Sequence, residues 1–412
     1  MLDTVPASGE TNGVSKKLIR DPQLDELVRE LNQTGDRSQS SPDEPAPETV
    51  ATGNELEPFL ADMVQRGASD LLLTAGSPPV FRVNGVLTRS GGGALSNDEL
   101  HSLFSTIVTG RLQTRLNEEG AIDFSLRLTA AASEEDRRAL RFRINVHRQR
   151  GTLAAAIRAL PNEIPTLAQL DLPPSLADLV KPARGLVLIC GPTGAGKTTT
   201  LAALLGEINR SDARHIITIE DPVEYEHRNV KSVIEQVEVG RDSPSFAGAL
   251  RAALRQDPDV ILVGEMRDLE TIATAITAAE TGHLILSTLH TSDVASAVNR
   301  IVDVFPPEQQ TQIRNQLSLA LNAIVVQHLI PRKDGRGQAV AVELLLANQA
   351  VRNHLRNNKL QNLASEITLG KRAGMISLED SLSKFVQQGL ITIEDARARS
   401  TRPDELESVM RK

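Results

Sequence analysis

The segment GPTGAGKT carries the residue types that bind the phosphates of a nucleotide. It spans Gly191–Thr198 and fits G-x-x-x-x-G-K-[ST], with the apolar run GLVLIC before it and the helical pattern TTTLAALLGEI after it. Glycines let backbone N–H groups converge on phosphate oxygens at the positive end of a helix. Lys197 would supply a point charge for the β- and γ-phosphates, and Thr198 a hydroxyl ligand for Mg²⁺. The predicted nucleotide-binding residues are Gly191, Pro192, Thr193, Gly194, Ala195, Gly196, Lys197, Thr198 and Thr199.

An acid directly follows an apolar run in DPDVILVGEMRD, residues 257–268. A charge at the end of a buried strand is costly unless it is paired or used. Many proteins with this phosphate-binding pattern place a Mg²⁺-binding Asp at the strand end, but here that position is Gly264 and the acid is Glu265. Glu265 is therefore a candidate general base toward an attacking water and a candidate metal ligand beside Thr198. Spacing alone allows an ordinary surface acid equally well.

Two further apolar runs lead into polar side chains. The run HIITI precedes Glu220, Asp221 and Glu224, and the run LILSTL precedes His290. Because parallel strands end at one edge of a sheet, where ligands of such folds bind, these groups should meet the phosphate-binding loop. A neutral His290 could sense a γ-phosphate by hydrogen bonding, as could His283 at the start of the same run. A lone histidine is more often structural, so both roles stay open.

The elements that position these groups are indicated by alternating apolar and helical patterns from Gly185 onward. The runs GLVLIC, HIITIE, DVILVG and HLILSTL are each followed by a polar or helical segment, which predicts an α/β domain with a parallel sheet. After Phe305 we expect a long helix over 308–329, a hairpin turning at Asp334–Gly335 and several short helices.

Residues 55–160 mix helix and strand patterns, which predicts a small α+β domain. Helices are expected in ELEPFLADMVQRGASD, ending near Gly67, and in NDELHSLFSTIV. Strands are expected in LLLTAGSPPVFRVNGVLTRS, where Asn84–Gly85 signals a hairpin, and in AIDFSLRL and RRALRFRINVHRQRGTLAAAIRAL. The proline-punctuated residues 161–184 would link this domain to the next.

The first 54 residues are different in character. The stretch NQTGDRSQSSPDEPAPETVATGN is polar and proline-rich, which predicts a disordered tail. Within the tail, DPQLDELVREL places Leu24, Leu27, Val28 and Leu31 on one helical face. So short a helix is marginal alone, and it is either an ordinary tail segment or a docking peptide.

Composition excludes several function classes. At 412 residues the chain exceeds one compact core, so two domains are expected. Aromatic residues make up only 2% and the net charge is -8, which argues against a nucleic-acid partner. Cys190 is the single cysteine, so neither a disulfide framework within one chain nor a Cys-based zinc site is available. We see no signal-peptide pattern and no apolar run near the ~20 residues that span a bilayer, and we expect a cytosolic protein.

Together these segments resemble the PilT group of motor ATPases in the GspE/PulE type II/type IV secretion superfamily. GPTGAGKTTTLAAL resembles the Walker A segment of that family, ITIEDPVEY its Asp box, LRQDPDVILVGEMRD its Walker B segment and TGHLILSTLHT its His box. ASDLLLTAG, RFRINVHRQRG and AIRALP resemble its amino-terminal PAS-like domain. The resemblance covers residues 55–400 and implies a RecA-like P-loop NTPase core. The implied organisation is a tail (1–54), a PAS-like domain (55–160), a linker and start of the ATPase domain (161–184), the RecA-like core (185–346) and a C-terminal helical region (347–412).

The resemblance also implies residue roles. Glu265 would be the catalytic glutamate, Glu224 the Asp-box acid that assists at the metal or the water, and His290 the His-box histidine. In the family, arginines of the amino-terminal domain approach a nucleotide across the interface of a ring; a surface salt bridge is the alternative role for each. The arginines in the corresponding segments are Arg141, Arg143 and Arg158.

The implied function is a homohexameric motor that hydrolyses ATP with Mg²⁺ to retract type IV pili, and hence drives twitching motility. Its implied partners are an inner-membrane pilus platform protein, contacted peripherally from the cytoplasm at the pilus base, and an accessory retraction ATPase. The alternatives are a PilU-like accessory motor, a type II secretion or pilus-assembly ATPase, a DNA-translocating relative and a nucleotide-binding scaffold that does not hydrolyse ATP. A four-cysteine zinc motif is usual in the assembly ATPases, and this chain cannot form one.

Three departures from the family pattern leave hydrolysis intact but put partner choice in doubt. Leu72 stands where His is common, Ser287 stands where Gly is usual, and the amino-terminal tail is longer. A last segment, AVRNHLRNNK, resembles the carboxy-terminal segment that the family needs for retraction. As a helix it would place Arg352 and Arg356 side by side as an exposed cationic ridge that adds little stability.

Overall fold

A computed structural model describes residues 54–83, 85–128, 140–335 and 337–411, together with the backbone of 49–51. Most of the predicted tail, including the helical pattern in DPQLDELVREL, lies outside the described residues, and so does Asn84. Residues 49–51, which the sequence assigned to the tail, form a short strand. The described chain is arranged around two seven-stranded β-sheets.

The first sheet is built by the amino-terminal part of the chain. Its strands are β1 (Thr49–Ala51), β2 (Asp70–Thr74), β3 (Val80–Val83), β4 (Val86–Arg89), β5 (Ala121–Leu128), β6 (Leu140–Gln149) and β7 (Thr152–Leu160). They lie in the order β1-β5-β6-β7-β2-β3-β4, and all neighbours are antiparallel except β1 and β5. Val83 pairs with Val86, as the predicted hairpin requires.

Three helices complete this part of the chain and share its core. They are α1 (Glu57–Gln65), α2 (Asn97–Ser105) and α3 (Gly110–Glu119). The first two confirm the sequence prediction, and α2 begins with a capping box in which Ser96 and Glu99 bond each other's backbone N–H. The third was not predicted, because most of its residues are polar and only Leu116 is buried.

The second sheet is mostly parallel, as predicted. Its strands are β8 (Gly185–Cys190), β9 (His215–Glu220), β10 (Val233–Glu238), β11 (Val260–Val263), β12 (Leu284–Leu289), β13 (Leu321–Pro331) and β14 (Gln338–Leu346). They lie in the order β10-β9-β11-β12-β8-β13-β14, with only β14 antiparallel to its neighbour. Every residue of β8, β11 and β12 is buried, because alternate side chains enter separate hydrophobic cores on the two faces of the sheet.

Helices cover both faces of this sheet, and others follow it at the carboxy-terminal end. A 3₁₀ helix, Pro174–Val180, precedes β8 and packs on α4 through buried leucines. The α-helices are α4 (Lys197–Ser211), α5 (Phe246–Ala253), α6 (Leu269–Thr281), α7 (Val294–Val302), α8 (Pro307–Ala320), α9 (Gln349–Arg356), α10 (Leu363–Leu369), α11 (Leu378–Gln387), α12 (Ile393–Arg399) and α13 (Pro403–Met410). Within the described ranges, no helix combines the length and apolarity needed to cross a bilayer.

One predicted element is wrong. The sequence predicted a single helix over 308–329, but α8 ends at Ala320 and the chain continues directly as strand β13. The apolar run LNAIVVQHLI is buried on both sides of the sheet between β8 and β14, and its β-branched residues favour a strand. Apolar periodicity alone does not separate a buried strand from a buried helix, which explains the error.

The loop that connects β9 to β10 is fastened to helix α4 by one buried side chain, Asn209. Its Nδ2 donates to the Arg228 carbonyl at 2.7 Å, and its Oδ1 accepts from the N–H groups of Val230 at 3.0 Å and Ser232 at 3.3 Å. Asn209 is 5% exposed, so water cannot replace these bonds. Asn209 therefore fixes the part of the loop that precedes β10, whereas Glu224 lies in the part that follows β9.

We expect Asn209→Ala to lower the free energy of unfolding by about 1–3 kcal/mol, because it leaves buried backbone groups without partners. Denaturant titration followed by circular dichroism measures the change. Arg115→Ala is the control, since it removes only an exposed pair with Glu119 on α3, worth about 0.2–0.5 kcal/mol. Equal losses in the two variants would contradict the role of Asn209.

Candidate active site

A cavity of about 570 Å³ lies at the carboxyl edge of the parallel strands. It is bordered by the phosphate-binding loop, by the segments that follow β9, β11 and β12, and by the end of β7. The predicted site residues that line it are Thr193, Gly194, Ala195, Gly196, Lys197, Thr198, Thr199, Glu224, Glu265, His290 and Arg158. The parallel sheet thus brings together the groups that four separate sequence segments supply.

The phosphate-binding loop joins β8 to α4 and depends on three glycines in left-handed or extended positive-φ conformations. Gly191 has φ +148°, and a Cβ at this position would lie 2.6 Å from the Gln327 carbonyl oxygen on β13. Gly194 and Gly196 have φ +79° and +80°. A side chain is strained at these φ values, so all three positions favour glycine, and at Gly191 the close approach to β13 also requires it.

Lys197 is folded back onto its own loop. Its Nζ donates to the carbonyl oxygens of Gly191 and Pro192, both at 3.0 Å, and the side chain is 8% exposed. Burial lowers the pKa of Lys197, and the nearby Glu265 opposes that shift. The ammonium group therefore sits in a water-poor position where an anionic phosphate would bind strongly.

Glu265 lines the cavity two residues after the end of β11. A Cβ at Gly264 would lie 3.1 Å from the Ile219 carbonyl oxygen on β9, so an acid at the strand end itself would press on the neighbouring strand. The Glu265 side chain is 20% exposed, and its Oε2 lies 2.7 Å from Nη2 of Arg267 and 3.7 Å from Nε2 of His290. The acid is partly buried but still open to the cavity.

The imidazole of His290 bridges the acid and the phosphate-binding loop. Its Nδ1 lies 3.4 Å from Oγ1 of Thr193 and 3.5 Å from Nζ of Lys197. Burial and the neighbouring Lys197 lower the pKa of His290, which favours the neutral ring. His283 lies elsewhere: it caps the end of α6, with its Nδ1 3.1 Å from the Ala278 carbonyl oxygen.

The end of β9 and the segment after it bring three predicted acids to the cavity, Glu220, Asp221 and Glu224. Glu220 is 8% exposed and accepts hydrogen bonds from Thr218 at 2.6 Å and Gln236 at 3.1 Å. Burial raises the pKa of Glu220, although these two bonds oppose the shift. Among the described residues no side chain binds the Glu224 carboxylate, so that group is available to a ligand in the cavity.

The three predicted arginines occupy different positions within the chain. Arg158 lies at the cavity rim and pairs with Asp70 at 2.9 Å. Arg143 is away from the cavity and its Nε lies 3.4 Å from Asp123. Arg141 is buried and contacts the backbone of the segment that follows β9. Only Arg158 therefore borders the nucleotide cavity of its own chain.

Hydroxyl groups that the sequence did not identify also shape the site. The Tyr225 hydroxyl donates to Oγ1 of Thr199 at 3.0 Å and ties the segment after β9 to the phosphate-binding loop. Ser287 and Thr288 on β12 donate to the carbonyls of Val263 and Gly264 at 2.7 and 2.6 Å, directly before Glu265. Only the position of Tyr225, as the single tyrosine beside the acids of EDPVEYEH, was a signal in the sequence.

The structure corrects two sequence predictions. The sequence predicts that Ser287 affects partner choice, but its side chain is wholly buried in the sheet and cannot contact a partner. The sequence also predicts that Arg352 is an exposed cation with little effect on stability. Its Nη1 instead donates to the carbonyls of Ser318 and Leu319, which are at the carboxyl end of α8. Such bonds satisfy helix-end carbonyls, so Arg352 stabilises the fold.

Thr198 and Glu265, the predicted Mg²⁺ ligands, both line the cavity. Within the described residues there is no cluster of three His, Cys, Asp or Glu side chains that would form a metal cage. Mg²⁺ at nucleotide sites usually takes only one or two protein ligands and completes its shell with phosphate oxygens and water. The donor set that lines this cavity fits that pattern.

Comparisons with known proteins agree with this arrangement. The pilus retraction ATPase PilT of Pseudomonas aeruginosa is 41% identical over 350 residues, which cover 85% of this chain and 99% of that protein. A twitching motility protein of Neisseria gonorrhoeae is 42% identical over 322 residues, 78% of this chain and 84% of that protein. A crystal structure of the pilus retraction motor PilT with bound ADP superimposes with a TM-score of 0.77 at 44% identity, covering 87% of this chain and 100% of the other. The family model described as Type II/IV secretion system protein matches residues 107–400, and the chain therefore belongs to that family.

Proposed function

We propose that this protein is an ATP-hydrolysing motor that retracts type IV pili and so drives twitching motility. The observation that carries the proposal is the position of the Glu265 carboxylate in the same cavity as Lys197 and Thr198, at the carboxyl edge of a buried parallel sheet. The similarity to two proteins named for pilus retraction and twitching supports the cellular role. The ADP in the similar PilT structure supports ATP as the nucleotide.

Different residues of the cavity carry out different parts of the reaction. Backbone N–H groups of the phosphate-binding loop and Lys197 bind the phosphates, while Lys197 exchanges its two loop carbonyls for phosphate oxygens. Glu265 accepts a proton from a water whose oxygen bonds to the γ-phosphorus as the bond to the β-phosphate oxygen breaks, which yields ADP and phosphate. Bound Mg²⁺, held through Thr198 and Glu265, would neutralise phosphate charge. Neutral His290 and Glu224 orient the γ-phosphate and the water.

Assembly and location follow from the same proposal. The chain would work as a homohexamer in which nucleotide sites lie near subunit interfaces, beside the cytoplasmic face of the inner membrane at the pilus base. A pilus platform protein of that membrane and an accessory retraction ATPase would be its partners. No nucleic-acid partner is proposed.

Observations argue against two of the alternatives, and a third needs an experiment. An assembly or type II secretion ATPase with a four-cysteine zinc motif does not match a chain whose single cysteine is Cys190. A scaffold that binds nucleotide without hydrolysing it would not need Glu265 in contact with His290. A PilU-like accessory motor shares the whole site, and only the phenotype of a deletion strain separates it from the main retraction motor, whose loss leaves surplus unretracted pili.

We expect Glu265→Gln to lower ATP turnover by about 10² to 10⁴, because the amide keeps the shape of the side chain but cannot accept the proton. ATP binding should persist in this variant. Steady-state phosphate release and equilibrium binding of a fluorescent ATP analogue measure the two properties separately. Lys197→Ala is the matched comparison and should weaken binding itself; near-normal turnover in Glu265→Gln would remove Glu265 from the role of base.

A mixing experiment tests whether Arg143 reaches the nucleotide of a neighbouring subunit. Arg143→Ala and Lys197→Ala subunits, each inactive alone, should regain turnover of about a quarter of the wild-type value when mixed in equal amounts, if the ring places residues in trans. The mixture is assayed for phosphate release after dissociation and reassembly. Turnover equal to the average of the two separate variants would mean that Arg143 does not act across an interface.

The carboxy-terminal segment 350–359 gives a test of the motor function. Arg356 is exposed, and within the described ranges its one hydrogen bond is a 3.4 Å contact with the Ser318 hydroxyl. Arg356→Ala should therefore leave stability, ring formation and basal turnover unchanged, while twitching of a complemented deletion strain is lost. Arg352→Ala should instead lower the free energy of unfolding by about 1–3 kcal/mol. Normal twitching with Arg356→Ala would remove this surface from the retraction mechanism.

A further inference from the structure

Arg141 makes an unusual set of contacts between the two sheets of its own chain. It lies on β6 and is 6% exposed. Its Nη2 donates to the Val223 carbonyl at 2.9 Å, its Nη1 donates to the Glu224 carbonyl at 3.3 Å, and its Nε lies 3.0 Å from Oε1 of Glu226. One guanidinium from the first sheet therefore contacts three residues of the loop after β9: Val223, Glu224 and Glu226.

A second arginine supports this contact. Arg127 lies directly opposite Arg141 in the pairing of β5 with β6, and its Nη2 donates to the same oxygen of Glu226. Glu226 thus receives two cationic groups from neighbouring strands. A planar guanidinium with several donors in fixed directions suits this kind of bridge, and the single ammonium of a lysine does not.

The remaining polar groups of the loop are held from the second sheet. Glu238 on β10 accepts from the Val223 N–H at 3.0 Å, and Gln236 donates to the Tyr225 carbonyl at 2.9 Å. The carbonyls of Val223 and Glu224 are not among these contacts. Arg141 is the partner that satisfies them, and a buried carbonyl left without one is costly.

The Glu224 carboxylate itself is held by no other side chain in the described residues, as the site geometry shows. Its position is therefore set by the loop backbone, and Arg141 is bonded to that backbone on both sides of the Glu224 Cα, through the carbonyls of Val223 and Glu224. Tyr225, the next residue, bonds Thr199 of the phosphate-binding loop. Because of these hydrogen bonds, a displacement of the first sheet relative to the second would also move Glu224 and Tyr225, which border the nucleotide cavity.

We propose that Arg141 is a positioning residue that acts within its own chain: it fixes the loop of Glu224 for catalysis and couples the orientation of the first sheet to the nucleotide site. This role differs from an arginine that reaches a neighbour's nucleotide, because Arg141 is buried and its guanidinium contacts two carbonyls and the Glu226 carboxylate of its own chain. The catalytic part of the proposal rests on the proposed ATP hydrolysis, whereas the structural part does not.

The test compares Arg141→Gln with Arg148→Gln in the full-length protein. Arg148 lies on the same strand, is exposed and bonds Asn117, so its substitution is a matched control. Hydrogen–deuterium exchange should become faster in the peptide covering 221–227 for Arg141→Gln and stay unchanged for Arg148→Gln. This measurement needs no hydrolysis, so it gives an answer even if the protein proves not to be an ATPase.

Kinetics provide the second measurement. Arg141→Gln should lower kcat for ATP by about 10- to 100-fold, because Glu224 is misplaced, while KM changes by less than about threefold. Arg141→Lys should recover only part of kcat, since a single ammonium cannot bind both carbonyls and Glu226, and it also serves if Arg141→Gln does not fold. Arg148→Gln should match the wild type in both constants.

Mixed rings decide between action within the chain and action across an interface. Arg141→Gln subunits mixed with Lys197→Ala subunits should show only the average turnover of the two, because an intact Arg141 on a neighbour cannot repair the loop of another chain. Turnover well above that average would overturn the proposal, and so would unchanged exchange in the 221–227 peptide. A wild-type protein without ATPase activity, combined with faster exchange in Arg141→Gln, would reject the proposed function and retain the positioning role.

Discussion

The site depends on the parallel pairing of β8 with β12 on one side and β13 on the other. All six residues of β8 are buried, and its alternate side chains enter two different cores, so the strand has no freedom to shift along its neighbours. Because the register is fixed, the chain after Cys190 must leave the sheet against the Gln327 carbonyl of β13, where only a glycine fits. The conformation of the phosphate-binding loop is thus a consequence of sheet packing, and the loop presents its N–H groups before any ligand arrives.

The same sheet places the acid. A Cβ at Gly264 would lie 3.1 Å from the Ile219 carbonyl oxygen of β9, so this position is crowded, and the carboxylate is carried by the next residue, Glu265. The hydroxyls of Ser287 and Thr288 bind the carbonyls of Val263 and Gly264, so the backbone before Glu265 is held by β12 as well. Ser287 adds a hydroxyl where the family usually has glycine, and in this chain that difference acts inside the sheet. Two neighbouring strands therefore determine where Glu265 can reach.

The sequence correctly predicted those features in which a residue type serves only one structural purpose. The glycines and Lys197 of GPTGAGKT, the apolar runs of β8, β9, β11 and β12, and the hairpin between β3 and β4 follow from local chemistry, and the structure contains each of them. It failed at 321–331, where an apolar run fits a helix and a buried strand equally well and only the pairing with β8 and β14 decides. It also could not identify the contacts of Arg141 and Arg352, because both donate to backbone carbonyls that are distant in sequence. The spacing of residue types in a sequence does not show which backbone carbonyls a side chain will contact.

Charge links these parts into one mechanism. Lys197 is buried with its ammonium on two loop carbonyls, and Arg141 is buried with its guanidinium on two carbonyls of the facing loop. Each cation has given up most of its hydration, and backbone dipoles compensate only part of that cost. A nucleoside triphosphate would supply the missing negative charge to Lys197, while Glu226 already supplies it to Arg141. We therefore expect Lys197 to leave its loop carbonyls when ligand binds and Arg141 to keep its contacts. On this proposal the phosphate-binding loop responds to nucleotide, and the loop of Glu224 responds to the first sheet.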